Sequence, residues 1–328
     1  MRRRTVVLGG AASAMLAAAG ARAQQAGRQY RVGVLSPLSG LTAGPYMSAF
    51  RDELAKHGFV EGRNLAIESR SPLAGSQAAL QAARELVALK PDALFASTTM
   101  LSQAAQAATD SVPVVFAWVG DPVHSRLVKN FAKPGGNITG VSNRYFELVA
   151  KRLEILREVL PKARRVAMMA AVLDGTGEEA MKFAQRAAEA LGFQLVLIVA
   201  GTDWPSAIER AAKEGAQAVS LLFPFFAYGM RFTVTEFVRS VAERRIPAIF
   251  HDSETVEIGG LISYGTNLAS DVRRAAVLLA RVLRGEKPGD LAIEQASRFE
   301  LAVNLKAAHA IGLKIPPSLL TRADRVIE

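Results

Sequence analysis

Six short polar or aromatic segments carry the residue types that recognise small charged molecules. Ser97-Thr98-Thr99 falls between an apolar run and a helical pattern. Hydroxyls and free backbone N–H groups at a helix N-terminus suit an anion such as a carboxylate, or simply cap the helix. Asp121, in Gly120-Asp121-Pro122, can pair with an ammonium group or cap a short helix with Pro122 at its first position. Phe225, in Pro224-Phe225-Phe226, can sandwich a flat or apolar group or pack in a core. Asp252, in His251-Asp252-Ser253-Glu254, offers a partner for an amine or stands in a polar surface loop. Ser36 opens a turn after the first apolar run, where it can exchange a hydrogen bond with a ligand. Tyr264 either faces a cleft or packs.

This is the chemistry of binding, and no catalytic set accompanies it. There is no cysteine, which excludes disulfides, thiol catalysis and Cys-ligated metals. His57, His124, His251 and His309 are isolated in sequence, so no metal site is expected. Asp174-Gly175-Thr176-Gly177 lacks the lysine of a phosphate loop and reads as a turn, with Thr176 and Glu179 spaced as a capping box. No Gly-x-Ser-x-Gly elbow is present. No enzyme activity and no cofactor are expected.

The elements that would position these residues alternate along the chain. Apolar runs at Tyr30–Leu35, Asn64–Ser69, Ala93–Ala96 and Val114–Ala117 read as buried strands. Helical patterns separate them, from about Tyr46, over Gln77–Leu89 and over Leu101–Ala108. A dense turn at Lys133 to Asn137 and a short extended stretch at Ile138–Val141 interrupt the series. Helix Phe146–Leu160 follows, with Val149, Leu153, Leu156 and Leu160 on one stripe. A second series then runs through strands from Arg165, Phe193, Ala218, Pro247 and Leu261, with helices from Thr176, Trp204 and Tyr228 between the first four. Two β/α halves of comparable length predict two doubly wound parallel-sheet lobes, each with helices on both faces. The 328 residues are also more than one compact core usually holds. A tail of helix Leu268–Leu283, strand Phe299–Asn304 and helix Leu305–Ile311 is expected to recross between the lobes as a multi-strand hinge. The expected lobes are 28–142 with 266–297, and 143–265 with 298–328.

Residues 1–23 read as a secretory signal peptide. Arg2-Arg3-Arg4 forms the basic region, Val6–Ala19 the apolar one, and Ala21-Arg22-Ala23 the cleavage site. Arg3-Arg4-Thr5-Val6-Val7-Leu8 also resembles a twin-arginine signal. Removing four arginines lowers the formal net charge from +10 to +6. The remaining bases are scattered and not interleaved with aromatics, so no nucleic-acid partner is expected. Gln24 stands where a lipid-bearing cysteine would be, which predicts an unanchored protein of the periplasm.

Several phrases, in order, resemble one family. They are Arg31-Val32-Gly33-Val34-Leu35-Ser36, Gly58-Phe59-Val60-Glu61-Gly62-Arg63-Asn64 and Leu86-Val87-Ala88-Leu89-Lys90-Pro91-Asp92. Val119-Gly120-Asp121-Pro122-Val123, Lys133 to Gly140, Gly259 to Gly265 and Ile315-Pro316-Pro317-Ser318-Leu319-Leu320 follow. Across nearly the whole mature chain the sequence is similar to ABC-transporter substrate-binding proteins of the TrpX-like group, with a type I periplasmic-binding fold. The resemblance implies a receptor, expected to be monomeric, that closes on a small molecule and presents it to an ABC permease in the inner membrane. It points to an amino acid or an aromatic or carboxylate compound. The segment Ser97-Thr98-Thr99-Met100-Leu101 departs from the small Ala/Gly/Thr/Pro segment common in relatives. Two rival readings are a sensor presenting its ligand to a membrane signalling protein, and an exported enzyme.

Overall fold

The computed structural model describes residues 27–36, 44–72, 75–170, 175–201, 203–222 and 231–328, excepting the side chains of 175, 176 and 231–233. In the first half, strands β1 (Tyr30–Leu35), β2 (Leu65–Arg70), β3 (Ala93–Ser97), β4 (Val114–Val119) and β5 (Ile138–Ser142) alternate with α1 (Pro45–Lys56), α2 (Gly75–Ala88) and α3 (Thr99–Ala108). Helix α4 (Tyr145–Val159) opens the second half. Strands β6 (Arg165–Ala170), β7 (Gln194–Val199), β8 (Ala218–Leu221), β9 (Ala248–Phe250) and β10 (Ile262–Thr266) follow. Between them come α5 (Gly175–Leu191), α6 (Trp204–Lys213), α7 (Arg231–Glu243) and α8 (Ser253–Glu257). The tail adds α9 (Leu268–Leu283), β11 (Glu294–Gln295), β12 (Phe299–Asn304), α10 (Leu305–Ala310), α11 (Pro317–Arg322) and β13 (Arg325–Ile327).

Two sheets result. The first runs β11-β5-β4-β3-β1-β2 and the second β13-β12-β10-β9-β8-β6-β7. Both contain the order 2-1-3-4-5 of a doubly wound fold, and every pairing is parallel except β10 with β12. Parallel sheets are covered on both faces, so their strands read as unbroken apolar runs. In β4 all six residues of Val-Val-Phe-Ala-Trp-Val are buried. One face of the first sheet packs Val32, Val34 and Phe95 under Phe50, Leu54, Val272 and Leu279 of α1 and α9. The other packs Leu35, Leu94 and Phe116 under Ala83, Leu86 and Leu101 of α2 and α3. In the second sheet α4 and α5 cover Met168 and Ile249, while α6 and α7 cover Val219 and Phe250.

The boundaries differ from the expected ones by a few residues. Ile138–Ser142 is the fifth strand of the first sheet and not a free crossing, because it pairs with β4. The helix expected from Thr176 begins at Gly175, and the Thr176 side chain and Asp174 lie outside the described residues. Ser253–Glu257, expected as loop, is a short helix. The chain passes between the sheets three times: between β5 and α4, between β10 and α9, and between β11 and β12.

Candidate functional site

In open α/β sheets, ligands bind beyond the carboxyl ends of the strands, where the strand order reverses. In the first sheet that place lies between β1 and β3. Ser36 follows β1, is buried, and its hydroxyl bonds no other protein group. Residues 37–43 of the same loop lie outside the described residues. Ser97 ends β3 and Thr98 precedes α3. Both are buried, and both hydroxyls are without a hydrogen bond. Thr98 occupies the N-cap position but makes no side-chain cap, so capping does not account for its hydroxyl. Its backbone has φ 69° and ψ 159°, a region nearly confined to glycine. Thr98 N donates to Ala117 O at 3.0 Å, and Ser102 Oγ donates to Thr98 O at 2.6 Å. These two bonds hold the strained residue in place. Thr99, also buried, is the first residue of α3.

Asp121 follows β4. Its Oδ1 accepts from Val123 N and His124 N, each at 2.9 Å, so the carboxylate caps a turn where the sequence allowed for a short helix.

On the second sheet, Asp252 follows β9 and caps α8. Its Oδ1 accepts from Thr255 N and Thr255 Oγ1, both at 2.8 Å. Burial raises its pKa above the ordinary aspartate value, and the Thr255 bonds offset part of that rise. Tyr264 on β10 is half-buried, with its ring stacked on Phe299 at 6.2 Å between centroids. Phe225 lies outside the described residues.

Sequence reasoning left out the polar group beneath α4. Arg152 is fully buried, and its Nη1 donates to Tyr264 O at 3.0 Å. Its Nε and Nη2 reach no protein acceptor. The guanidinium carbon lies 5.6 Å from the centre of the Tyr145 ring. That ring stacks on His251, with 5.6 Å between centroids and 14° between planes. Burial drives the Arg152 pKa down to about 10, with the Tyr145 hydroxyl opposing. Burial also holds the His251 pKa well below its usual value, and the nearby Arg152 charge pushes the same way. The Leu222 backbone offsets part of this, and His251 stays neutral. A signal for Arg152 was present: it lies three residues after Val149 and four before Leu156, which puts a charge on the apolar face of α4.

Tyr145 also brings the sheets together. A Cβ at Gly120, just after β4, would sit 3.2 Å from Tyr145 Cβ. Nearby, His124 of the first half faces Glu179 of α5 at 3.7 Å and lies edge-on to the Phe146 ring at 6.1 Å. Ser220 on β8 and Ser263 on β10 add buried hydroxyls without a hydrogen bond. The arrangement offers hydroxyls from one sheet and a guanidinium, a neutral imidazole and a phenol ring from the other. Such groups can bind and orient a polar solute. Among the described residues, no group of three metal-ligating side chains occurs.

Comparisons with known proteins bear on the family and the fold. A family model described as ABC transporter substrate binding protein matches residues 31–327. A curated relative, the tyrosine-binding protein of Clostridioides difficile, is 24% identical over 266 residues, covering 81% of this chain and 76% of its own. A structure of a conserved domain protein from Vibrio cholerae is 26% identical, with a TM-score of 0.81 over 91% of this chain and all of that one. A Streptococcus pneumoniae ABC domain in complex with L-Trp is 23% identical, with a TM-score of 0.78 and the same coverage.

Proposed function

The chain belongs to the ABC transporter substrate binding protein family, and on that premise we propose that it is the periplasmic receptor of an ABC importer. Lobes of residues 28–142 with 266–297, and 143–265 with 298–328, close on a small solute and present it to an inner-membrane permease. The solute is an amino acid or a related aromatic or carboxylate compound. The receptor binds it without chemical change.

One observation carries this reading. Buried polar atoms with no protein partner stand at the strand ends of the first sheet, in the hydroxyls of Ser36, Ser97 and Thr98, and others stand against the second, in Arg152 and His251. Leaving such a group unsatisfied costs about 1–3 kcal/mol. A solute that bonds groups of both sheets at once stabilises the closed arrangement by its differential affinity. The tyrosine-binding relative and the L-Trp complex support an amino-acid ligand. The test is thermal unfolding of the mature protein against amino acids, aromatic acids and small amides. A true ligand at about 100 times its Kd adds roughly 2.7 kcal/mol. A raised Tm with one chemical class supports the receptor reading. No response to any amino acid or aromatic acid counts against it.

A further inference from the structure

Arg152 is unusual among the described basic residues. It is fully buried, it makes no ion pair, and no carboxylate contributes to its electrostatics. A buried charge without a partner costs several kcal/mol, more than a buried hydroxyl does. The geometry of the guanidinium says which edge is open. Nη1 is held by Tyr264 O, while Nε and Nη2, the two donors of the other edge, reach no protein acceptor. Two parallel N–H groups along one edge match the two oxygens of a carboxylate.

The position fits as well. Arg152 lies within 5.6 Å of the Tyr145 ring, which stacks on His251 just after β9, and a Cβ at Gly120, just after β4, would sit 3.2 Å from Tyr145 Cβ. The guanidinium therefore sits at the carboxyl end of the second sheet, where the first sheet meets it. Neutral His251 adds no competing charge and can hydrogen-bond an acid group.

We propose that Arg152 is the acid-binding residue of the site, taking a carboxylate of the solute side-on through Nε and Nη2. The acid end of the solute then faces the second lobe. The neutral hydroxyls of Ser97 and Thr98 contact its other polar groups. This rests on the receptor reading above and adds the orientation and the charge requirement.

The test uses calorimetric titration and thermal unfolding with three probes: L-tyrosine, L-tyrosinamide and sodium acetate. The wild-type protein, Arg152→Gln and Arg152→Lys are compared, with far-UV circular dichroism to confirm folding. L-Tyrosine and acetate should raise the wild-type Tm, while the amide should bind on the order of 30-fold more weakly or not at all. Arg152→Gln should lose the carboxylate response. Arg152→Lys keeps the charge without the fork and should recover only part of it. If Arg152→Gln does not fold, the acid-against-amide comparison in the wild type still decides. Equal binding of L-tyrosine and L-tyrosinamide, or an unchanged carboxylate response in Arg152→Gln, would overturn the assignment and leave the receptor reading standing. No carboxylate response in the wild type would overturn it too, and the wider solute panel then judges the receptor reading separately.

Discussion

The imidazole of His251 lies nearly parallel to the ring of Tyr145, 14° apart, so the residue that follows β9 and the first residue of α4 are locked face to face. Tyr145 is also the residue that meets Gly120 of the first half. Removing its ring should cost the stack on His251, while the Cβ that approaches Gly120 stays. Tyr145→Ala is expected to lose roughly 3 kcal/mol in urea unfolding, in the range for large aromatic truncations. Tyr145→Phe keeps the stack and should stay within about 1 kcal/mol of the wild type.

Thr98 is held at a backbone conformation that costs a β-branched residue about 1–3 kcal/mol. Glycine removes that strain at an entropic cost of about 0.5–1 kcal/mol. Thr98→Gly should therefore match or exceed the wild type in Tm while weakening solute binding, because the hydroxyl is gone. A clear fall in Tm would mean the conformation is not strained.

Asp271, in the first turn of α9, is buried, and burial lifts its pKa to about 7 against an opposing Thr266 hydrogen bond and the Arg274 charge. The folded protein thus keeps a proton that the unfolded chain releases near pH 4. Its contribution is complete below about pH 4 and is lost as pH rises through about 7. His251 acts in the opposite sense, since the unfolded chain takes up a proton below about pH 6.5 that the folded state refuses. Asp271→Asn separates the two. Its stability relative to the wild type should rise between pH 5 and pH 8 by up to roughly 3 kcal/mol. A difference that does not change with pH would show that Asp271 titrates normally.

Gly265 has no room for a side chain. A Cβ there would come within 1.7 Å of His251 O. Gly265→Ala should cost about 1–3 kcal/mol or more. By moving His251 it should also weaken carboxylate binding, which titration of the same variant would show.

Most of the two sheets was legible because parallel strands buried on both faces are continuous apolar runs, as in Val114–Val119. The short pieces were not. Ser253–Glu257 is one helical turn fixed by the Asp252 cap, and Arg325–Ile327 is a three-residue strand that pairs only after the chain returns to β12. At the site, Ser97 and Thr98 were visible from their place between strand and helix. The cluster of Arg152, Tyr145 and His251 was not. It joins residues about a hundred positions apart, and only sheet pairing brings β9 and β10 beneath α4. Asp121 and Asp252 show the limit of residue type alone, since both carboxylates bind backbone N–H groups of their own turns.

The three passages between the sheets bear on how the protein is made. Helix α9 covers Phe50, Leu54 and Phe95, yet it is synthesised only after the whole run from β6 to β10. A nascent chain ending before Leu268 leaves that apolar face bare. The first lobe therefore completes its core only once the tail is present, and neither half is a separable unit that cutting the gene in two would release intact.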